Sequence, residues 1–220
     1  RGKPSSASWS PRTKALNAER SGFDASGVAH PSVIKDGATY VLYYAGLDSS
    51  GAAKIGRATA PAPNGPYTRG PSPVLDLGTA SEFDATSVKD PVVVKAGAGD
   101  YRMLYRGVET LEGNRIERVG YATSSDGISW TKRGVVAGPS LSAYASDESG
   151  AQATGMLIDG STFHVWTSGV DRGGRTRGHH ATTAFPTPVS PQPGIPIGWA
   201  SYQLGNASTT NRDFRQIART

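Results

Sequence analysis

The sequence reads as an all-β protein built from repeats. Phe23-Asp24-Ala25-Ser26-Gly27-Val28-Ala29-His30-Pro31 returns as Phe83-Asp84-Ala85-Thr86-Ser87-Val88-Lys89-Asp90-Pro91. A more degenerate copy is Ser146-Asp147-Glu148-Ser149-Gly150-Ala151-Gln152-Ala153-Thr154. Asp24 and Asp84 are 60 residues apart, and Asp84 and Asp147 are 63 apart. Short aromatic and β-branched runs follow each copy in the same order. No stretch shows sustained helical periodicity; only Thr13 to Arg20 fits either a short helix or coil. Four antiparallel strands recurring at this fixed spacing describe a propeller blade. A β-sandwich also has short strands and frequent turns, but it gives no reason for a constant Asp-to-Asp distance.

Each repeat can be followed element by element. An apolar run comes first: Val33-Ile34, Val92-Val93-Val94 and Met156-Leu157-Ile158. These are expected on equivalent inner strands. A Gly or Asp turn leads to an aromatic strand ending in Gly: Tyr40 to Gly46, Tyr101 to Gly107 and Phe163 to Gly169. A third strand follows in Lys54 to Thr59 and Arg118 to Thr123. Asn64-Gly65 and Asp126-Gly127 make tight turns ahead of Tyr67 and Trp130. The fourth strands are expected at Pro73-Val74-Leu75 and Gly134-Val135-Val136. The whole chain, residues 1–220, is read as one domain with repeats at roughly 22–80, 82–140 and 145–220. Phe185 to Pro196 holds five prolines and reads as an irregular crossing segment before the strand-like Ile197 to Tyr202.

Composition narrows the function classes. The chain has 28 Gly and 15 Pro, as a turn-dense β protein requires, and no Cys, which removes disulfides, thiolate metal sites and Cys nucleophiles. No apolar run reaches the eighteen or so residues of a membrane-spanning helix. The net charge of +5 includes two loop clusters, Arg172, Arg175 and Arg177, and Arg212, Arg215 and Arg219. Basic residues on loops are ordinarily solvated, so neither a nucleic-acid nor a membrane partner is expected. Starting at Arg1, the chain reads as a processed or excised segment.

Trp9 stands 15 residues before Asp24, whereas Tyr67 and Trp130 stand 17 before Asp84 and Asp147. The N-terminus thus reads as the end of a blade, and Asp213 to Ile217 as another such end. About three to three and a half blades are expected here, with another chain or segment completing the ring, since closure takes at least about four.

Val88 to Val93, the strand Tyr101 to Gly107, and Gly120-Tyr121-Ala122-Thr123-Ser124-Ser125-Asp126-Gly127-Ile128-Ser129-Trp130 resemble the five-bladed propeller glycoside hydrolases of families 43, 32 and 68. The resemblance covers about Gly22 to Ala181. It implies a secreted enzyme acting on a furanosidic or related glycan, such as an arabinofuranosidase or fructosidase. It also implies three carboxylates in the order Asp, Asp, Glu at the central ends of innermost strands. Asp90 matches the second and Glu148 the third, as general acid. His30 stands where the first would precede Pro31, so that role falls to Asp24 or to a blade outside this chain. No cofactor is expected, beyond a structural divalent cation that a propeller channel can hold.

Glycosidic cleavage needs one carboxylic acid to protonate the leaving oxygen and a second carboxylate acting on the opposite face. Asp90 breaks the repeat, its counterparts being His30 and Ala153. Glu148 has Ala25 and Ala85 as counterparts. Asp24, Asp84 and Asp147 recur in all three copies, which suits a turn-capping or inter-strand role as well as a catalytic one. His30, Arg106, Asp84, Tyr44 and Trp166 are candidates for substrate binding: His30 as sugar ligand or proton carrier, Arg106 as a bidentate donor or a partner of Glu109. Tyr44, Trp166 and Trp199 are candidate stacking surfaces, or inter-blade packing. His179 and His180 are adjacent and face opposite ways on a strand, so no more than one can reach any metal or ligand. The alternative to an enzyme is a non-catalytic propeller that binds carbohydrate or a protein partner.

Overall fold

The structure, a computed structural model, describes residues 14–19, 21–137, 150–170 and 173–184. Among them it is all-β. The first repeat forms a four-stranded antiparallel sheet in the order β1 (Gly27–Asp36), β2 (Thr39–Leu47), β3 (Ala53–Ala60), β4 (Thr68–Arg69). The second repeats the pattern with β5 (Ser87–Gly97), β6 (Asp100–Leu111), β7 (Asn114–Ser124) and β8 (Thr131–Ala137). The third holds β9 (Gly150–Asp159), β10 (Thr162–Val170) and β11 (Thr176–Ala184), ordered β11-β10-β9. The three expected inner-strand segments therefore lie in three different sheets. Residues 14–19 are irregular, not helical.

The sheets stack through their faces. Alternate side chains of β2 point to opposite sides, and both sides are buried. Val41 and Tyr43 join Val93, Met103 and Tyr105 in a core between the first and second sheets. Leu104, Val119 and Tyr121 meet Phe163 and Val165 between the second and third. Leu42 and Tyr44 pack under Ala15, Leu16 and Phe23. The Tyr43 ring meets Trp130 edge-on, centroids 5.8 Å apart, and its hydroxyl donates to the Gly127 carbonyl at 2.8 Å. Asp126 sets that turn by accepting from the amides of Ile128 and Ser129 at 2.8 and 2.7 Å. Those amides, with the Ser124 hydroxyl, hold its carboxyl well below the usual range.

The Phe-Asp opening explains the Gly that ends the aromatic strand in the first two repeats. A Cβ on Gly46 would lie 2.6 Å from the Asp24 Cβ and 2.6 Å from the Phe23 ring. A Cβ on Gly107 would lie 2.7 Å from the Asp84 Cβ. Only a bare backbone lets the repeat's opening lie against its second strand.

The fourth strand of the first sheet differs from expectation. In the first sheet the strand is Thr68–Arg69, and Leu75 forms only an isolated bridge with Ile55. Pro71 and Pro73 carry no N–H, so the chain around them cannot continue a ladder. In the second, Gly134 to Val136 fall within the longer β8.

Candidate functional site

His30 and Asp90 occupy the same place in successive inner strands. Between the pairs Ala29–Ala45 and Ser32–Tyr43, β1 has two residues, His30 and Pro31, against the single Tyr44. Between Lys89–Arg106 and Val92–Leu104, β5 has Asp90 and Pro91 against Tyr105. Each is a β-bulge, and proline's missing donor is harmless at such a point. His30 and Asp90 both adopt left-handed backbone, with φ of 51° and 52°. That conformation is uncommon outside Gly, Asn, Asp and His, so the bulge itself selects polar residues that carry chemistry.

The bulges turn both side chains into one cleft of about 320 Å³, lined by His30, Pro31, Asp90, Arg106, Gln152 and Ala153 among others. All three repeats contribute. Asp90 sits between two nitrogen-bearing side chains: His30 Nδ1 lies 2.7 Å from its Oδ1, and the Arg106 guanidinium contacts its Oδ2 through Nη2. Arg106 continues to Glu117, with Nη1 2.8 Å from Oε2. Glu117 also accepts from Arg115 Nε and Nη2 at 2.8 and 2.7 Å. Burial opposes the charge on Glu117, but Arg115, Arg106 and Lys89 outweigh it and hold the carboxyl below the usual range. Burial lowers the Lys89 ammonium, and the nearby Arg106 and Arg115 add to that. His30 is half exposed while Asp90 is mostly covered, so a ligand meets the imidazole first.

The other candidates lie elsewhere. Asp24 is buried and accepts from the Tyr44 hydroxyl at 3.0 Å and from Arg69 of β4. Asp84 is placed alike one repeat later, accepting from the Tyr105 hydroxyl at 2.9 Å and lying 2.7 Å from the Lys132 ammonium of β8 as an ion pair. Asp24 and Asp84 thus tie the openings of their repeats to the second and fourth strands. Tyr44 is itself buried, its ring against Phe23. Trp166 sits on the outer face of the third sheet, stacked on His180 at 4.8 Å and in line with His164. Glu109 pairs with Arg118, not with Arg106. Glu148, Asp147, Trp9, Trp199 and Asp213 to Ile217 lie outside the described residues. No group of three or more His, Asp or Glu side chains suited to a metal ion occurs among the described residues.

Glu117 is the site residue that sequence reasoning missed. Its signal was available: the register-equivalent positions hold Ala53 and Thr176, so a Glu there breaks the repeat as Asp90 does.

No protein-family model and no curated protein matches the chain. Solved structures do. A family 117 glycoside hydrolase of the marine bacterium Zobellia galactanivorans aligns with a TM-score of 0.55 at 21% identity, over 76% of this chain and 46% of that one. A β-1,2-mannobiose phosphorylase of Listeria innocua, in complex with β-1,2-mannobiose, aligns with a TM-score of 0.58 at 14% identity, over 76% and 43%. The fold is glycoside hydrolase-like. A further glycoside hydrolase gives 0.58 at 13% identity, over 77% and 56%. This chain therefore spans about half the length of the structures it matches. At such identities the likeness concerns the fold and does not single out families 43, 32 or 68. No helix among the described residues is long and apolar enough to cross a membrane.

Proposed function

We propose that this chain is part of a secreted propeller enzyme that cleaves a glycosidic bond at the cleft between its inner strands. The observation that carries the reading is Asp90. It breaks the repeat, stands on a left-handed bulge, and faces a cleft shared by three repeats. The Arg106 guanidinium on Oδ2 holds the carboxyl group, while Oδ1, with the His30 ring 2.7 Å away, is the oxygen left for the reacting group. Asp90 then acts on the anomeric side, as base toward water or as nucleophile toward carbon. The leaving oxygen needs a separate acid, and Glu148, four residues before the cleft residue Gln152 in sequence, is the candidate. The bond broken joins the anomeric carbon to the glycosidic oxygen. That oxygen takes the acid's proton, and water supplies the new hydroxyl. A furanosidic substrate, as in families 43, 32 and 68, is the first to try. The test is a panel of aryl furanosides and pyranosides with wild type and Asp90→Asn. Turnover by wild type that Asp90→Asn abolishes supports the reading.

The second reading, a non-catalytic carbohydrate-binding propeller, draws on the same contacts. Arg106 holds one Asp90 oxygen and the other has no hydrogen-bond partner, which also suits a fixed array that receives a sugar hydroxyl. Saturable glycan binding without turnover, lost in Asp90→Asn, would favour it.

We also infer that a further sheet packs on the third one. Tyr43, Leu104 and Trp166 are register-equivalent. Tyr43 is covered by the second sheet and Leu104 by the third, whereas Trp166 is 37% and the neighbouring Leu157 53% exposed among the described residues. Another blade, from a segment or chain completing the propeller, is the partner whose shape the repeat dictates.

A further inference from the structure

The second repeat departs from its neighbours at three register-equivalent places, and the three residues found there form one chain of contacts. Asp90 corresponds to His30 and Ala153, and Arg106 to Ala45 and Ser168. Glu117 corresponds to Ala53 and Thr176. Arg106 spans the other two, with Nη2 on Asp90 and Nη1 2.8 Å from Glu117. Glu117 does not line the cleft; it reaches the cleft only through the guanidinium.

We propose that Glu117 is a positioning residue that anchors one arm of the Arg106 guanidinium so that the other holds the Asp90 carboxylate at the cleft. The catalytic consequence rests on the glycosidase reading; the positioning does not. A guanidinium is a rigid planar fork, so fixing one nitrogen fixes the direction of the next. Charge balance adds to this. Lys89, Arg106 and Arg115 all lie within 4 Å of Glu117, with Lys89 Nζ at 3.9 Å. Without that carboxylate, Lys89, Arg106 and Arg115 lose the counter-charge they share and repel one another, and the guanidinium of Arg106 is held only through Asp90. The three substitutions make sense together: an Arg at the Ala45 position alone would be an unanchored charge, and a Glu at the Ala53 position alone an unpaired one.

The test is side-chain 15N relaxation of Arg106 Nε in the full chain, its signal assigned by Arg106→Lys. The wild-type signal is expected to report an ordered side chain. Glu117→Leu, similar in size but without an acceptor, should release it; Glu117→Gln, which keeps one acceptor, should fall between. Arg115→Ala, at an exposed partner of Glu117, should leave Arg106 ordered. An Arg106 that stays fully ordered in Glu117→Leu overturns the proposal. If that variant does not fold, unchanged order in Glu117→Gln overturns it instead. On a glycoside that the wild type turns over, releasing Arg106 should lower kcat by about tenfold to a hundredfold, with KM moving less. Unchanged kcat with a mobile Arg106 would overturn the catalytic consequence. A wild type that turns over no glycoside would sink the functional reading, while the relaxation still decides the positioning.

Discussion

His30 and Asp90 face each other across two successive sheets, Nδ1 to Oδ1 at 2.7 Å, from the same bulge position and with the same left-handed backbone. A repeated strand entrance thereby places two different polar groups opposite each other. The backbone and the charge at this position can be separated by mutation. Asp90→Asn tolerates left-handed φ and removes only the charge, so the melting temperature should move by no more than a few degrees while glycan processing is lost. Asp90→Val should destabilise the fold by about 1–3 kcal/mol, because a β-branched residue is strained at positive φ. Thermal melts of both variants, with activity or binding, check the pair. Equal stability of the two would remove the backbone argument.

Gly107→Ala should lower stability by about 1–3 kcal/mol through overpacking. The added methyl would press on the Phe83 ring and the Asp84 Cβ, which cannot move without lifting the repeat's opening off β6. Gly46→Ala should behave alike against Phe23 and Asp24. Urea midpoints measure both. Gly113→Ala, where nothing lies within 4 Å but φ is positive, isolates the backbone cost.

Stability should fall steeply as the solution becomes alkaline. Burial pushes the Tyr43 phenol up to about 12. Burial, with the Asp24 carboxylate next, raises Tyr44; burial, with Asp84 next, raises Tyr105. All three side chains are fully buried. Folded tyrosines keep their protons above the unfolded value of about 10, so the unfolded state binds fewer protons there. Their stabilising contribution is complete below pH of about 10 and is lost as pH rises from there through the folded values. The slope is about 1.4 kcal/mol per pH unit for each tyrosine. Urea midpoints between pH 8 and 11.5 should show it, and Tyr43→Phe should flatten it by roughly a third of the three-tyrosine slope. A flat profile would mean that these phenols reach water in the folded state.

The absence of Cys from the chain makes the outer face of the third sheet directly testable. Leu157→Cys and Val33→Cys replace side chains of similar exposure, 53% and 49%. If another sheet covers the third, the thiol at 157 should react with a maleimide at least about tenfold more slowly than that at 33. Dilution separates the sources. Protection independent of concentration points to a segment of the same chain, and protection lost on dilution to a second chain. A thiol at 157 that reacts as fast as a free thiol would remove the covering sheet.

The sequence by itself determined the all-β class, the order of strands within a repeat and the equivalence of the three inner strands. These depend on local chemistry. Aromatic and β-branched runs, turn residues at constant offsets and a recurring Phe-Asp opening are each written within about sixty residues. The same recurrence marked Asp90 and His30 as exceptions. The tertiary structure decided what those exceptions do. Arg106 is as near in sequence to Glu109 as many helix or strand partners are, yet it reaches Glu117, because β6 and β7 pair antiparallel with Arg106 opposite Val119. Asp24 and Asp84 could not be sorted from Asp90 by residue type. Burial against a tyrosine hydroxyl and a fourth-strand cation separates them. The fourth strand of the first sheet was misplaced for a similar reason: the run Val74-Leu75 looks like a strand, but the flanking prolines leave only one bridge to Ile55. Periodicity carries the pattern of a sheet, whereas a charge network depends on which sheets meet, and that is settled only when the repeats stack.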